Sequence, residues 1–286
     1  MADYSIWALE FAVLPSYPDS ALVYGKADGA RVLPFYYFVV QSEDRLILID
    51  SGFSDNAFCT DACASYGVEK FIPPAEAMSR IGLDPHDVDT IIISHHHWDH
   101  VSGVPYFPRA EVWIQRRDIE NWTEKWHVSD RLGWLKGGLD PDTGDDLARV
   151  DAEGRLRPVD GHAPVAPDID VRPAYDTHTA GSQYVVLQAS DGPWIFPGDV
   201  AYVYENIGGT DGSQPMIPIG LGQGNQECCV RLTDEMLTAA GDDVGRVLCS
   251  HEVRIWDRFP SIVADDGLHI AEIALAPGVP SRIGSR

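Results

Sequence analysis

Basic residues are scarce in this chain: 21 Lys and Arg stand against 44 Asp and Glu in 286 residues, a formal charge of −23. A surface of that sign repels phosphate backbones and anionic headgroups, so neither nucleic acid nor a membrane surface is an expected partner. No run approaches the ~20 consecutive apolar residues that span a bilayer. The first residues, Met1 to Trp7, lack the basic region and apolar stretch of a secretory signal. Cysteine is also sparse: Cys59, Cys63, Cys228, Cys229 and Cys249 are odd in number and lack the dense spacing of a disulfide scaffold. A reducing cytoplasm is the expected location, and Cys59 and Cys63, four apart, are read as thiols on one helix face.

What is present is an ordinary globular composition, 44% apolar, with 20 Pro and 26 Gly spread along it. That spread predicts many turns and short elements. No repeat, low-complexity tract or linker divides the chain, so a single domain over residues 1–286 is expected. Ser5–Val13, Val32–Val40 and Arg45–Asp50 are rich in β-branched and aromatic residues and read as strands. Pro74–Ile81 reads as a helix capped by Gly82. Val88–Ser94 and Ala110–Gln115 read as buried strands. Residues 116–160 are expected as helix and loop, with a solvated acidic loop at 140–160. Tyr184–Leu187, Trp194–Phe196 and Val244–Cys249 read as strands. Residues 206–226 form a Gly-rich loop, and Glu227–Ala240 reads as a helix with Leu232, Met236 and Ala240 on one face. Strands and helices interleave, which predicts an α/β fold of two packed sheets with helices outside.

One segment carries chemistry. His95, His97, Asp99 and His100 fall within six residues, directly after a buried strand. His178, Asp199 and His251 follow at long intervals, Asp199 being 21 residues after His178. Imidazole and carboxylate suit zinc and related divalent ions. His95 and His97, two apart in an extended segment, point to one side. Asp99 and His100, after a turn, can face a second point nearby. One tight loop can thus serve two ions ~3.5–4 Å apart, and Asp199 is the natural carboxylate to bridge them.

Ser94-His95-His96-His97-Trp98-Asp99-His100 resembles the H-x-H-x-D-H motif of the metallo-β-lactamase fold superfamily. Leu48-Ile49-Asp50-Ser51-Gly52, His178-Thr179-Ala180-Gly181-Ser182, Phe196-Pro197-Gly198-Asp199 and Ser250-His251-Glu252 are similar to that family's other motif segments, in the same order. The resemblance departs at Asp176-Thr177, where the family has Pro-Gly. His162, after Gly161, is the competing third histidine, but its distance from Asp199 fits the family's gap poorly, so it is read as a loop residue. The resemblance implies an αβ/βα four-layer sandwich. It also implies that His95, His97 and His178 hold a first ion, that Asp99, His100 and His251 hold a second, and that Asp199 bridges. Zn²⁺ is the expected metal, with Fe or Mn as alternatives.

Within the superfamily the chain looks most like the N-acyl homoserine lactonase and 4-pyridoxolactonase branch, through Asp199-Val200-Ala201-Tyr202. The implied reaction is the opening of a lactone or related ester in a small-molecule substrate by a metal-bridging hydroxide. Tyr202 would donate to the developing oxyanion, with Tyr204 as the neighbouring alternative. Asp99 would carry a proton, and Asp50 would position ligands. Trp98, Trp122, Trp126 and Trp134 are candidate pocket residues together with the 206–226 loop. The alternatives are hydrolysis of an activated aryl ether or ester on the same fold, or a mononuclear-iron dioxygenase of the superfamily. The di-iron relatives place a carboxylate where His97 stands. The family also makes a homodimer plausible.

Overall fold

Alternation of side chains along the strands decides the layers. The computed structural model describes residues 3–284. In chain order, β1 (Ser5–Pro18), β2 (Ala30–Gln41), β3 (Leu46–Ile49), β4 (Lys70–Phe71), β5 (Thr90–Ile92), β6 (Glu111–Gln115) and β7 (Leu156–Val159) belong to one sheet. β8 (Ala163–Ala166), β9 (Ile169–Pro173), β10 (Gln183–Ala189) and β11 (Gly192–Phe196) form a second sheet. β12 (Ser261–Val263) and β13 (His269–Ala274) return to the first, whose order is β12-β13-β1-β2-β3-β5-β6-β7 with β4 set against β1. The β3-β5-β6-β7 ladder is parallel, and every other pairing named here is antiparallel.

Along β1 and β2, Trp7, Leu9, Phe11, Phe35, Tyr37 and Val39 turn to one face. Ile6, Ala8, Tyr36, Phe38 and Val40 turn to the other. The period of two is what a pleated strand imposes. The first face packs under the helices Ala57–Tyr66, Pro74–Ser79 and Thr143–Ala152, through Cys59, Met78, Leu147 and Val150. The second meets Val171, Val185, Leu187 and Phe196 of the smaller sheet, with Phe38 and Phe196 edge to face at 4.9 Å. The outer face of the smaller sheet, Tyr184, Val186 and Ile195, is covered by Met236 and Ala240 at the helix Gln226–Ala239. Three apolar seams therefore separate four layers, helix, sheet, sheet and helix, as the sequence pattern predicts.

The structure departs from the sequence reading in four places, the first being that residues 116–160, read as helix and loop, also hold the strand β7. Val244–Cys249 is not a strand: Val244–Arg246 is a 3₁₀ turn, and only Val247 makes a bridge, to Ile195. The acidic stretch at 140–160 is not simply a loop. Thr143–Ala152 is a helix whose Asp145 and Asp151 face water, with Asp146 half-buried, while Leu147 and Val150 are buried. The high charge hides an i, i+3 apolar pair that seats the segment on the main core. The helix Ala57–Tyr66, started by Asn56 accepting from the Cys59 amide, has weak amphipathicity and left little pattern to read.

Leu147→Ala should cost roughly 2–5 kcal/mol of stability, the usual range for an aliphatic core truncation. The exposed Asp145→Ala should change it by less than about 0.5 kcal/mol. Denaturant titration of both variants checks this, and equal midpoints would return the segment to a solvated loop.

Candidate metal centre

The parallel strands end at one edge, and the chemistry sits there, where open α/β sheets place their sites. β5 runs into the histidine loop, which bends at His96 and His97 and then turns into the short helix Trp98–Val101. The turn carries Asp99 and His100 back over the same spot. β3 ends on Asp50 at φ 61°, a left-handed conformation that Asp tolerates better than most residues. β11 ends on Pro197-Gly198-Asp199. A Cβ at Gly198, whose φ is 55°, would lie 2.6 Å from the Ser94 Cβ, so only glycine lets Asp199 come this close to the histidine loop. His178 sits on the β9–β10 loop. His251 is fixed by its amide, which donates to the Tyr202 carbonyl at 3.1 Å.

All seven residues picked out in the sequence converge, in two sets that share Asp199: His95, His97, His178 and Asp199, and Asp99, His100, His251 and Asp199. In the first set His95 Nε2 and His178 Nε2 lie 3.0 and 2.7 Å from His97 Nδ1, and 3.7 and 3.4 Å from Asp199 Oδ2. In the second, His100 Nε2 and His251 Nε2 lie 3.3 and 3.4 Å from Asp199 Oδ1, and 3.5 and 3.6 Å from Asp99 Oδ2. Asp199 thus turns one oxygen to each set.

The hydrogen bonds behind the rings fix the tautomers. The Nδ1–H of His100 donates to Asp50 Oδ2 at 2.8 Å, that of His251 to the Pro34 carbonyl at 2.8 Å, and that of His178 to the Leu221 carbonyl at 3.1 Å. Ser94 Oγ donates to Asp50 Oδ2 at 2.9 Å, so it accepts from His95 Nδ1 at 3.0 Å. Each of these four rings therefore points an Nε2 lone pair inwards. His97 presents Nδ1 instead, and its Nε2 is buried with no hydrogen-bond partner.

Burial, with positive neighbours adding to it, pushes His95 and His97 well below the usual imidazole range, and burial lowers His178 too. These rings are neutral lone-pair donors. Burial opposes charge on His100 and His251 as well, but Asp199 and its neighbouring carboxylates outweigh it and raise both. Asp199 is held well below the usual carboxylate range: burial resists its charge, and His100 and His251 overcome that resistance. The second set thus calls for positive charge.

The donor set fits divalent ions. Ring nitrogens that face each other at 2.7–3.0 Å repel unless a proton or a metal cation is shared between them, and His97 Nδ1 faces two such nitrogens with at most one proton to give. A tetrahedral shell with bonds of ~2.0–2.1 Å has edges of ~3.3–3.4 Å, close to the spacings on both sides of Asp199. His100 Nε2 is buried without a hydrogen-bond partner and is aimed between two carboxylates. The two clusters are consistent with a binuclear metal site.

A cavity of about 290 Å³ opens onto this edge. His97, Asp99, His178, Asp199, Tyr202 and His251 form its floor, and Leu14, Leu22, Leu33, Phe35, Trp98 and Leu221 form much of its wall. Trp98 and Trp134 line it as expected, but Trp122 and Trp126 do not. Trp122 instead stacks on His96 at 5.3 Å, behind the histidine loop. His96 itself turns away from the site to Thr143 Oγ1 at 3.0 Å, and burial lowers its pKa to about 3. From the 206–226 loop only Leu221, Gly222 and Gln223 reach the cavity. Tyr204 is buried under the smaller sheet, and His162 is exposed beside Asp170.

Sequence reasoning missed three contributors. Ser94 passes the His95 ring on to Asp50, and Ser250 donates to Asp199 Oδ1 at 2.7 Å. Both adjoin a ligand in the chain, a signal that was available. Tyr17 lines the cavity from β1, and no motif marks it.

The metallo-beta-lactamase superfamily model matches residues 31–251. An N-acyl homoserine lactonase from a Bacillus species is 23% identical over 61% of this chain and 67% of its own length. The N-acyl homoserine lactonase AttM of Azorhizobium caulinodans is 26% identical over 63% of this chain and 64% of its own length. A shorter match, to an N-acyl homoserine lactonase of Bacillus thuringiensis at 27% identity, reaches 43% of that relative. Among solved structures, a probable metal-dependent hydrolase from Staphylococcus aureus superposes with a TM-score of 0.70 over 98% of this chain and 99% of that one, at 16% identity. Sheet order, motif spacing and a family match that runs from β2 to the last ligand agree, and the chain belongs to the metallo-beta-lactamase superfamily.

Proposed function

We propose that this protein is a dinuclear-metal hydrolase that opens an uncharged lactone or a closely related ester. The observation that carries the reading is Asp199, which faces a complete donor set with each of its two oxygens. His95, His97 and His178 would hold one ion, Asp99, His100 and His251 the other, and Asp199 both. Zinc suits the mix of imidazole and carboxylate best, with iron and manganese acceptable to the same donors. A bound pair of such ions supplies a deprotonated water near neutral pH and polarises a carbonyl.

The chain's own groups do the rest. Asp99 lines the cavity, and although burial resists its charge, His100 holds it ionised. It is placed to take a proton and return it to the leaving oxygen. Tyr202 also lines the cavity, and burial with Asp199 keeps its phenol protonated. Its hydroxyl lies 3.3 Å from both His178 Nδ1 and the Leu221 carbonyl, long contacts that leave it available to a substrate oxygen. The apolar wall excludes water from the reacting bond.

Two further facts support the reading. The relatives named above are N-acyl homoserine lactonases, two of them matching more than half of this chain. No Lys or Arg lines the cavity, which favours a neutral substrate over a phosphate or carboxylate. Aryl esters and ethers fit the aromatic wall as well, and they are the alternative. A one-iron dioxygenase would leave the second donor set without a purpose. A homodimer and a cytoplasmic location remain part of the proposal; no helix among the described residues is long and apolar enough to cross a membrane.

Purified protein should carry two metal ions per chain and open N-acyl homoserine or aromatic lactones, and Asp199→Asn should lose both properties. Turnover of an activated aryl ether with no ring opening on any lactone would move the chain to the alternative hydrolase. One iron per chain would favour the dioxygenase.

Asp50 gathers a proton donor from each set, His100 directly and His95 through Ser94. Asp50→Asn should weaken metal binding by about 10–100-fold, measured by competition with a chelator. Unchanged affinity would show that the ligands hold their orientation without it.

A further inference from the structure

Two bulges interrupt the ladder between β1 and β2. At the second, Leu14 pairs with Leu33 and Tyr17 with Arg31, so three steps along β1 are matched by two along β2. The extra residue falls at Pro15-Ser16, where proline has no amide to give to the ladder. In a regular strand, positions 14 and 17 point to opposite faces. The bulge cancels that reversal, and Leu14 and Tyr17 both line the cavity. A one-residue irregularity has placed a phenol in the cavity where alternation would have turned it away.

The depth of Tyr17 is set by its neighbours. The ligands at the floor are nearly inaccessible, Asp199 being 4% exposed, while Tyr66 and Trp134 at the rim are 51% and 63% exposed. Tyr17 is half-buried between these levels, on a strand end whose Pro15, Ser16 and Pro18 are exposed. Burial first, and then its neighbours Tyr66, Asp99 and Asp199, raise its pKa, which keeps the hydroxyl protonated at ordinary pH.

Among the described residues its hydroxyl has no hydrogen-bond partner, whereas Gln223 and Tyr202 are engaged and Tyr66 lies further out at the exposed rim. The Gln223 amide accepts from the buried Lys125 ammonium and donates to the Leu135 carbonyl. Tyr202 rests on His178 and Leu221. Tyr66 stacks on Trp98 and is open to solvent. A half-buried phenol without a partner, above an apolar wall, is a donor waiting for an acceptor.

We propose that Tyr17 is a specificity-determining residue: its hydroxyl donates to an uncharged oxygen acceptor, such as an amide or ester carbonyl, on the part of the substrate that points from the reacting bond towards the mouth. No lysine or arginine lines the cavity at that level to pair with a carboxylate or phosphate, which favours an uncharged acceptor. The preferred substrate therefore carries two neutral acceptors, one at the floor and one at the level of Tyr17, joined through an apolar stretch. This rests on the reading of the cavity as the hydrolytic site.

The test uses binding, not turnover. Metal-loaded protein is titrated calorimetrically with two non-hydrolysable lactams, N-hexanoyl-3-amino-2-pyrrolidinone and 3-octyl-2-pyrrolidinone, which differ in the exocyclic amide. Wild type should bind the amide-bearing lactam more tightly, and Tyr17→Phe should weaken that lactam by roughly 3–10-fold while leaving the alkyl lactam unchanged. Equal binding of both lactams by wild type, equal weakening of both by the substitution, or no effect of the substitution would each overturn the assignment. The wild-type comparison stands even if the variant fails to fold. Because no bond is broken, a failure of the lactone panel alongside the expected lactam result would remove the hydrolytic reading and leave the contact.

Discussion

Lone pairs that converge inside a protein need positive charge, and the rest of this structure is arranged around that need. Five imidazoles and two carboxylates meet at one buried edge, with ligand atoms of each set within 4.8 Å of one another. Three of the rings are driven neutral by their surroundings, so no imidazolium charge relieves the crowding on their side of Asp199. Bringing such a cluster together costs stability on its own, and a pair of divalent cations converts that cost into binding. The fold serves mainly to deliver these side chains from four separate places in the sequence.

Delivery depends on backbone features more than on the ligands. Asp50 in a left-handed conformation, Gly198 against Ser94 and the short helix that begins at Trp98 set the distances. Asp50 then ties the two donor sets to one carboxylate, so a displacement of β3 would be felt by His95 and His100 together. The cavity above is built from different material: aromatic and aliphatic residues of β1, β2 and the loops, without a cation. The ligand cluster and the cavity wall thus differ in character, one polar and deeply buried, the other largely apolar and closer to the surface.

The seven converging residues were legible because their chemistry is local and unusual. A tight cluster of histidine and aspartate after a buried strand has few structural uses, and the strand itself was marked by Ile91, Ile92 and Ile93. The layered fold was legible from the β-branched and aromatic runs of β1 and β2 and from strands interleaved with helices. What stayed hidden has a physical reason in each case. The helix Thr143–Ala152 buries only a narrow apolar stripe beneath a charged surface. Val244–Cys249 has the composition of a strand but finds a partner at one residue only. Trp122 and Trp126 look like any other tryptophans until the structure shows Trp122 stacked on His96. Tyr17 depends on a bulge, which changes the facing of a side chain without leaving a sequence signature.

The most direct test is anomalous X-ray scattering from crystals of metal-loaded protein. Two peaks on either side of the Asp199 carboxylate, ~3.5–4 Å apart, one among His95, His97 and His178 and the other among Asp99, His100 and His251, are the expected result. A single peak with the second donor set empty, or metal bound elsewhere on the chain, would contradict the account.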